Sequence, residues 1–123
     1  MPRFVVLQHE THTGVHWDFM LEDEGGLLTW ALSAEPQPAE IQPAKALPPH
    51  RPIYLDYEGP ISGNRGQVRQ WDRGEFRWLS RSGSLLEVVL RGNRVNGLVR
   101  LSFVGPSSEW WQFEWQPSQK DAV

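Results

Sequence analysis

Apolar positions in this chain fall in short alternating runs and almost nowhere at the three-and-four spacing of a helix. The runs "FVVLQ", "VHWDFMLE", "LLTWALS", "IYLDYEG", "QVRQWD", "EFRWLS", "LLEVVLR", "VNGLVRLSFV" and "WWQFEW" read as strands. Between several of them stand "DEGG", "DRG", "RSGS" and "RGN", whose Gly and Asn accept positive φ. Short strands on hairpin-length connections predict a mainly β fold with little helix. The expected form is a compact antiparallel β-barrel of about eight strands, because closure removes exposed edges. One stretch departs from this pattern. "EPQPAEIQPAKALPPHRP", residues 35–52, holds six prolines; it is expected to be a long Pro-rich loop, with one helical turn near Ala39 to Ile41, since proline cannot donate to a central ladder. "GPISGNRGQV" reads as a β-turn, lacking the Lys-Ser/Thr and the following helix of a phosphate-binding loop. Residues 1–118 are thus expected to form one domain, with 119–123 a frayed tail.

Composition narrows the class. A chain of 123 residues can bury one core, and 39% hydrophobic residues with seven Trp and five Phe exclude disorder. The absence of cysteine excludes a disulfide framework and any thiolate zinc site. "MPRFVVLQHE" turns polar too soon for a signal peptide, and no apolar run reaches membrane-spanning length. A cytoplasmic monomer with no membrane association is expected. The net charge of −3 hides a division: residues 1–64 carry nine acids and three bases, whereas residues 65–100 carry eight arginines against three acids. That basic segment suits either a polyanionic partner or solvated strand faces.

Three of the four histidines fall in "HETHTGVHWDF", which ends on an aspartate and a phenylalanine. On a strand, His16, Asp18, Met20 and Glu22 project to one face and Trp17, Phe19 and Leu21 to the other. An imidazole and a carboxylate about 7 Å apart along one face, with His9 able to close on them, form a set that ligates Mn, Fe or Zn and leaves coordination positions open. The alternative is a group of hydrogen-bonded or surface histidines. The fourth, His50, is four positions before Tyr54 in "HRPIYLDYEGP". An extended segment would put both on one face, where imidazole and phenol can hold or protonate an oxyanion; otherwise Tyr54 packs its ring.

Taken in order, "RFVVLQH", "HWDFMLE", "LLTWAL", "HRPIYLDYEGPISGNRG", "VRQWDRGEF" and "LRGNRVNG" resemble the 3′-phosphoesterase domain of bacterial DNA ligase D, from Arg3 to about Trp115. The resemblance implies a compact β-barrel that uses a divalent metal, typically Mn²⁺ (with Zn²⁺ or Co²⁺ as substitutes), to trim DNA or DNA/RNA 3′ ends in double-strand-break repair. The reactions implied are removal of a 3′-terminal ribonucleotide and of the 3′-phosphate left behind, with a DNA ligase or Ku as partner. By motif, His9, His16 and Asp18 would hold the metal, His50 would contact the scissile phosphate, and Tyr54 would support it. Arg65, Arg69, Arg73 and Arg77 would grip the nucleic-acid backbone.

Three features depart from the family pattern. Met20 stands where the family has an arginine after His-Tyr-Asp-Phe, and "SAEP" stands where it often has Pro-Lys-Gly. The gap between His9 and His16 is one residue longer than usual, which leaves His9 and His12 as alternative ligands. Lys45 and Arg51, near His50, are the candidates to restore phosphate-binding charge. Two other functions stay open on the same scaffold: a catalytically weak module binding DNA ends or a repair partner, and a metal hydrolase of another phosphoester.

Overall fold

The computed structural model describes residues 1–107 and 109–118, so the predicted tail at 119–123 lies outside the described residues. Nine strands occur in chain order: β1 (Arg3–Thr11), β2 (Gly14–Asp23), β3 (Gly26–Leu32), β4 (Ile41–His50), β5 (Gly59–Pro60), β6 (Gln67–Arg81), β7 (Leu85–Gly92), β8 (Asn96–Phe103) and β9 (Trp110–Pro117). Their order in the sheet is β1-β2-β3-β4-β9-β8-β7-β6-β5, and β1 also pairs with β6. The sheet therefore closes into an antiparallel ring of eight strands, with the two-residue β5 on the free edge of β6. The expected fold class is the one observed.

Alternation along the strands sorts the apolar residues into two clusters. The inner one contains Phe4 and Val6 of β1, Phe19 and Leu21 of β2, Phe76 of β6 and Phe113 of β9. Phe19 sits at its centre, its ring 5.3 Å edge-on from Phe113 and 6.3 Å from Trp30. The outer cluster is smaller: Val5, Leu7, Met20, Leu27, Leu55 and Val68. The strand residues of this cluster face outward from the ring and are kept dry by the segment running from His50 to Ile61, which contributes Leu55.

Three sequence expectations are corrected. Residues 41–50 of the expected loop form strand β4, and the stretch before them (residues 35–40) has neither a strand nor the expected helical turn, Ile41 already belonging to β4. Both sides of β4 are paired only at Ala44 and Lys45. Pro43 is paired with β9 alone, and Pro48 and Pro49 lie beyond β9 at a register shift opposite β3. The prolines thus fall where the ladder asks for no donor. The run "IYLDYEG" is no strand: Pro52–Leu55 form a 3₁₀ turn that seats Leu55 in the outer cluster. The "DRG" sequence is no turn either, for Asp72, Arg73 and Gly74 lie inside the continuous 15-residue β6. Trp71 is the extra residue of a bulge there, since Leu7 pairs with Gln70 and Val6 with Asp72. Asp72, 3% exposed, accepts N–H groups of Arg73, Asn93, Arg94 and Val95 at 2.8–3.1 Å and so ties down the "RGN" turn. Gly74 is required by close approach, because a Cβ there would collide with the Arg91 carbonyl.

Candidate active site

β1 and β2 pair with His9 opposite His16 and Leu7 opposite Asp18. Pairing across and alternation along β2 therefore bring both imidazoles and the carboxylate to one patch of the outer face. One ligand atom from each of His9, His16 and Asp18 lies within 4.8 Å of the others. His9 Nδ1 is 3.2 Å from His16 Nε2 and 3.6 Å from Asp18 Oδ2, and His16 Nε2 is 3.1 Å from Asp18 Oδ1. His12 stands apart in the exposed turn, 3.3 Å from Asn64 Nδ2. The geometry groups His9, and not His12, with the other two.

Hydrogen bonding determines which atoms face the centre. His9 Nε2 lies 2.7 Å from the Arg65 carbonyl oxygen, which can only accept, so Nε2 carries the proton. In the neutral ring, Nδ1 then turns a lone pair toward His16 and Asp18. This is the arrangement of a metal-ligating imidazole oriented from behind. Asp18 Oδ1 is buried without a directed hydrogen bond despite the closeness of His16. Trp17 and Trp30 also leave buried indole nitrogens unpaired, but those are neutral donors. A buried carboxylate oxygen facing two imidazole nitrogens fits a divalent cation of the kind bound by mixed N/O ligands.

Electrostatics agree with that grouping. Burial pushes the Asp18 carboxyl upward, but His16 and His9 together overcome it and hold it below the ordinary carboxylate range. Asp18 in turn raises the His9 imidazole above its usual value against its own burial, and the Arg65 carbonyl acts in the same direction.

His9 and Asp18 form one wall of a cavity of about 470 Å³, lined also by Met20, His50, Arg51, Tyr54 and Arg65. His50 arrives at the end of β4 and gives its Nδ1 proton to the Pro48 carbonyl at 2.9 Å, leaving Nε2 free for another partner. Its ring meets Tyr54 edge-on at 5.9 Å, and Tyr54 meets Tyr57 at 5.8 Å. The expected pairing of His50 with Tyr54 is thus present, made by the 3₁₀ turn instead of an extended strand. That turn is fastened by Gln70 Nε2 donating to the Leu55 carbonyl (2.9 Å) and by Arg3 on Asp56 (2.5 Å).

The remaining predicted residues divide. Met20 is 1% exposed in the cavity floor, on the same face of β2 as His16 and Asp18, as the alternation required. Arg51 and Arg65 line the cavity, whereas Lys45 does not. Lys45 shares the outer face, in register with Asp18 through Ala31, but lies two strands (about 10 Å) away and 3.6 Å from Glu109. The other arginines form no single stripe. Arg69 pairs with Gln8 and Arg73 with Val5, on opposite faces of β1, and Arg73 stands 3.8 Å from Asp56. Arg77 lies farther along β6, opposite Val89. Sequence reasoning missed the Arg65 and Pro48 carbonyls as orienters of the two histidines. Backbone acceptors leave no side-chain signature, although the glycines around Arg65 mark a turn shaped for close contact.

The family description "DNA Ligase D 3′-phosphoesterase domain" matches residues 7–102. The chain belongs to this family. The matched range contains His9, His16, Asp18, His50 and Tyr54. The chain is also similar to the multifunctional non-homologous end joining protein LigD of Pseudomonas aeruginosa, 33% identical over 122 residues. That alignment covers 89% of this chain but 14% of the relative, so the chain corresponds to one small part of a much longer protein. Among the described residues, no helix is long and apolar enough to cross a membrane.

Proposed function

We propose that this ligase-D-family domain is a divalent-metal-dependent 3′-phosphoesterase that trims DNA 3′ ends, removing 3′-ribonucleotides and 3′-phosphates during non-homologous end joining. The observation that carries the reading is the convergence of His9 Nδ1, His16 Nε2 and an unpaired Asp18 oxygen, with His9 and Asp18 lining the cavity that holds His50. Manganese is the proposed ion, with zinc or cobalt able to replace it, and DNA or DNA/RNA 3′ ends are the proposed ligand. A DNA ligase or Ku is the proposed partner in the cell.

A cation held by these three residues would supply Lewis acidity toward a phosphoryl oxygen. The rest of the chemistry belongs to the chain. Arg51 and Arg65 bring positive charge to the same cavity and would hold a phosphate at the reacting position. His50 gives its Nδ1 proton to Pro48, so it can meet the phosphate only when Nε2 is also protonated, and that proton is the one it can donate to the leaving oxygen as water attacks phosphorus. Tyr54 keeps that imidazole in place through its ring edge. The apolar floor of Met20, Leu7 and Val68 lowers the local dielectric and strengthens each of these charges.

Phosphate release from a 3′-phosphorylated primer–template in Mn²⁺, absent after chelation and in Asp18→Ala, is the expected result. Met20 favours one second reading, a catalytically weak module that binds DNA ends, because a thioether cannot grip two phosphate oxygens as a guanidinium does. Tight end binding without turnover would select it.

A further inference from the structure

We propose that Arg65 is the phosphate-gripping residue of this site, occupying in space the role that Met20 leaves vacant on β2. The inference rests on the phosphoesterase reading above and specifies which cation meets the phosphate. Three cations come into question, and geometry separates them. Lys45 is outside the cavity and engaged with Glu109. Arg51 lines the cavity, but its side chain makes no hydrogen bond or ion pair among the described residues. Arg65 lines the cavity and is held: its Nε donates to the Ser62 carbonyl at 2.7 Å, and its Nη2 donates to Ser62 Oγ at 3.2 Å.

The turn that carries Arg65 is itself fixed. The Ile61 N–H donates to the Gly66 carbonyl at 2.8 Å. Gly63, Asn64 and Gly66 all have positive φ, and a Cβ on Gly66 would collide with the Glu10 carbonyl of β1. The "GNRG" segment is therefore pressed against the end of β1 beside His9 in one conformation. A guanidinium with one edge tied to Ser62 keeps further N–H groups for an anion and loses little freedom on binding it. The same residue's carbonyl orients His9 through Nε2. Arg65 thus joins the metal ligand to the phosphate site, backbone serving the first and side chain the second. That division means the side chain can be changed without removing the acceptor of His9.

The test is equilibrium binding of a primer–template ending in a 3′-phosphate against the same duplex ending in a 3′-hydroxyl. Binding is read by fluorescence anisotropy after chelation, so that no phosphate is released during the measurement, alongside a separate calorimetric Mn²⁺ affinity. The wild-type protein is expected to prefer the phosphorylated end. Arg65→Gln should lose that preference, weakening the phosphorylated duplex by about 10- to 100-fold, the scale of a charge-assisted hydrogen bond, with the hydroxyl duplex and Mn²⁺ affinity changed about twofold or less. Arg65→Lys, which keeps charge without the fork, should recover part of the preference. Retention of the preference in Arg65→Gln, or its loss in Arg51→Gln alone, would overturn the assignment while turnover in Mn²⁺ left the phosphoesterase reading intact. A wild-type protein blind to the terminal phosphate would also overturn it, and measured turnover would then decide separately on the enzyme reading. Collapse of Mn²⁺ affinity in both Arg65→Gln and Arg65→Lys would assign the side chain to support of His9 and overturn its role on phosphate.

Discussion

His16 Nε2 stands 3.1 Å from Asp18 Oδ1, yet that buried oxygen has no directed hydrogen bond. Two groups this close and this badly paired are better served by a shared cation than by each other. Asp18→Ala and His16→Ala are expected to abolish calorimetric Mn²⁺ binding, and His9→Ala to weaken it far more than His12→Ala. The barrel should stay folded by circular dichroism, because Phe19 and Leu21 pack on the opposite face. Equal losses at His9 and His12 would contradict the ligand set.

Acidity gives a second check. His9 is raised in the metal-free fold, so its pairing with Asp18 stabilises fully below the ordinary imidazole range and fades as pH rises through the raised value. Asp18 is lowered, so its contribution is present above the ordinary carboxylate range and fades as pH falls through the lowered value. Between those limits a cation must displace the His9 proton to bind. Mn²⁺ affinity is therefore expected to climb with pH, by up to about tenfold per unit, and to level off only above the ordinary imidazole range. Titration calorimetry across pH should show this slope, flattened in His9→Ala.

Met20 tests packing against charge. It is 1% exposed and packs with Val5, Leu7, Leu27 and Leu55. Met20→Arg inserts a longer, charged side chain into that cluster and is expected to cost about 1–3 kcal/mol of stability. With Arg65 already at the phosphate, it should raise 3′-phosphatase activity little. Chemical denaturation and steady-state kinetics on the variant measure both, and a large gain in activity would mean that the phosphate pocket was lacking a cation.

How much of this was legible in the sequence depended on whether the signal was local. The two faces of β2 followed from alternation alone, because a period of two leaves no choice once Trp17, Phe19 and Leu21 are core. Strand β4 was hidden because the proline rule assumes pairing on both sides, whereas Pro43 is paired on one side only and Pro48 and Pro49 fall in the register shift opposite β3. "IYLDYEG" carries strand-forming residues but folds as a 3₁₀ turn, since Leu55 gains more by covering the outer cluster than by joining a ladder. Asp72 was read as turn chemistry from its neighbours Arg73 and Gly74. Its work is on a different turn, at residues 93–95, some twenty positions away. The arrangement of His9 depended on the Arg65 carbonyl, which no side-chain pattern encodes.

Asp72 accordingly supplies a stability prediction. Asp72→Ala strands several backbone N–H groups of the 93–95 turn and is expected to cost at least about 2–3 kcal/mol. Mn²⁺ affinity at temperatures where the variant is folded should persist, as measured by thermal unfolding and calorimetry together.

Nucleic-acid binding should be salt-dependent, with unequal shares among the arginines. Removing the charge at Arg65 is expected to lower the salt slope of the 3′-phosphorylated duplex by about one, whereas Arg77→Gln, beyond the cavity on β6, should leave it unchanged. Parallel losses at both positions would favour a diffuse basic surface over a defined grip.

The most direct measurement is phosphate release from a 3′-phosphorylated primer–template by the wild-type protein, Asp18→Ala and His50→Ala, with Mn²⁺ and with chelator. The account predicts turnover only for the wild-type protein and only with the cation, while His50→Ala retains Mn²⁺ affinity. Turnover that survives chelation or the loss of Asp18, or a folded, Mn²⁺-loaded wild-type protein that binds the 3′-phosphorylated end and releases nothing, would contradict it.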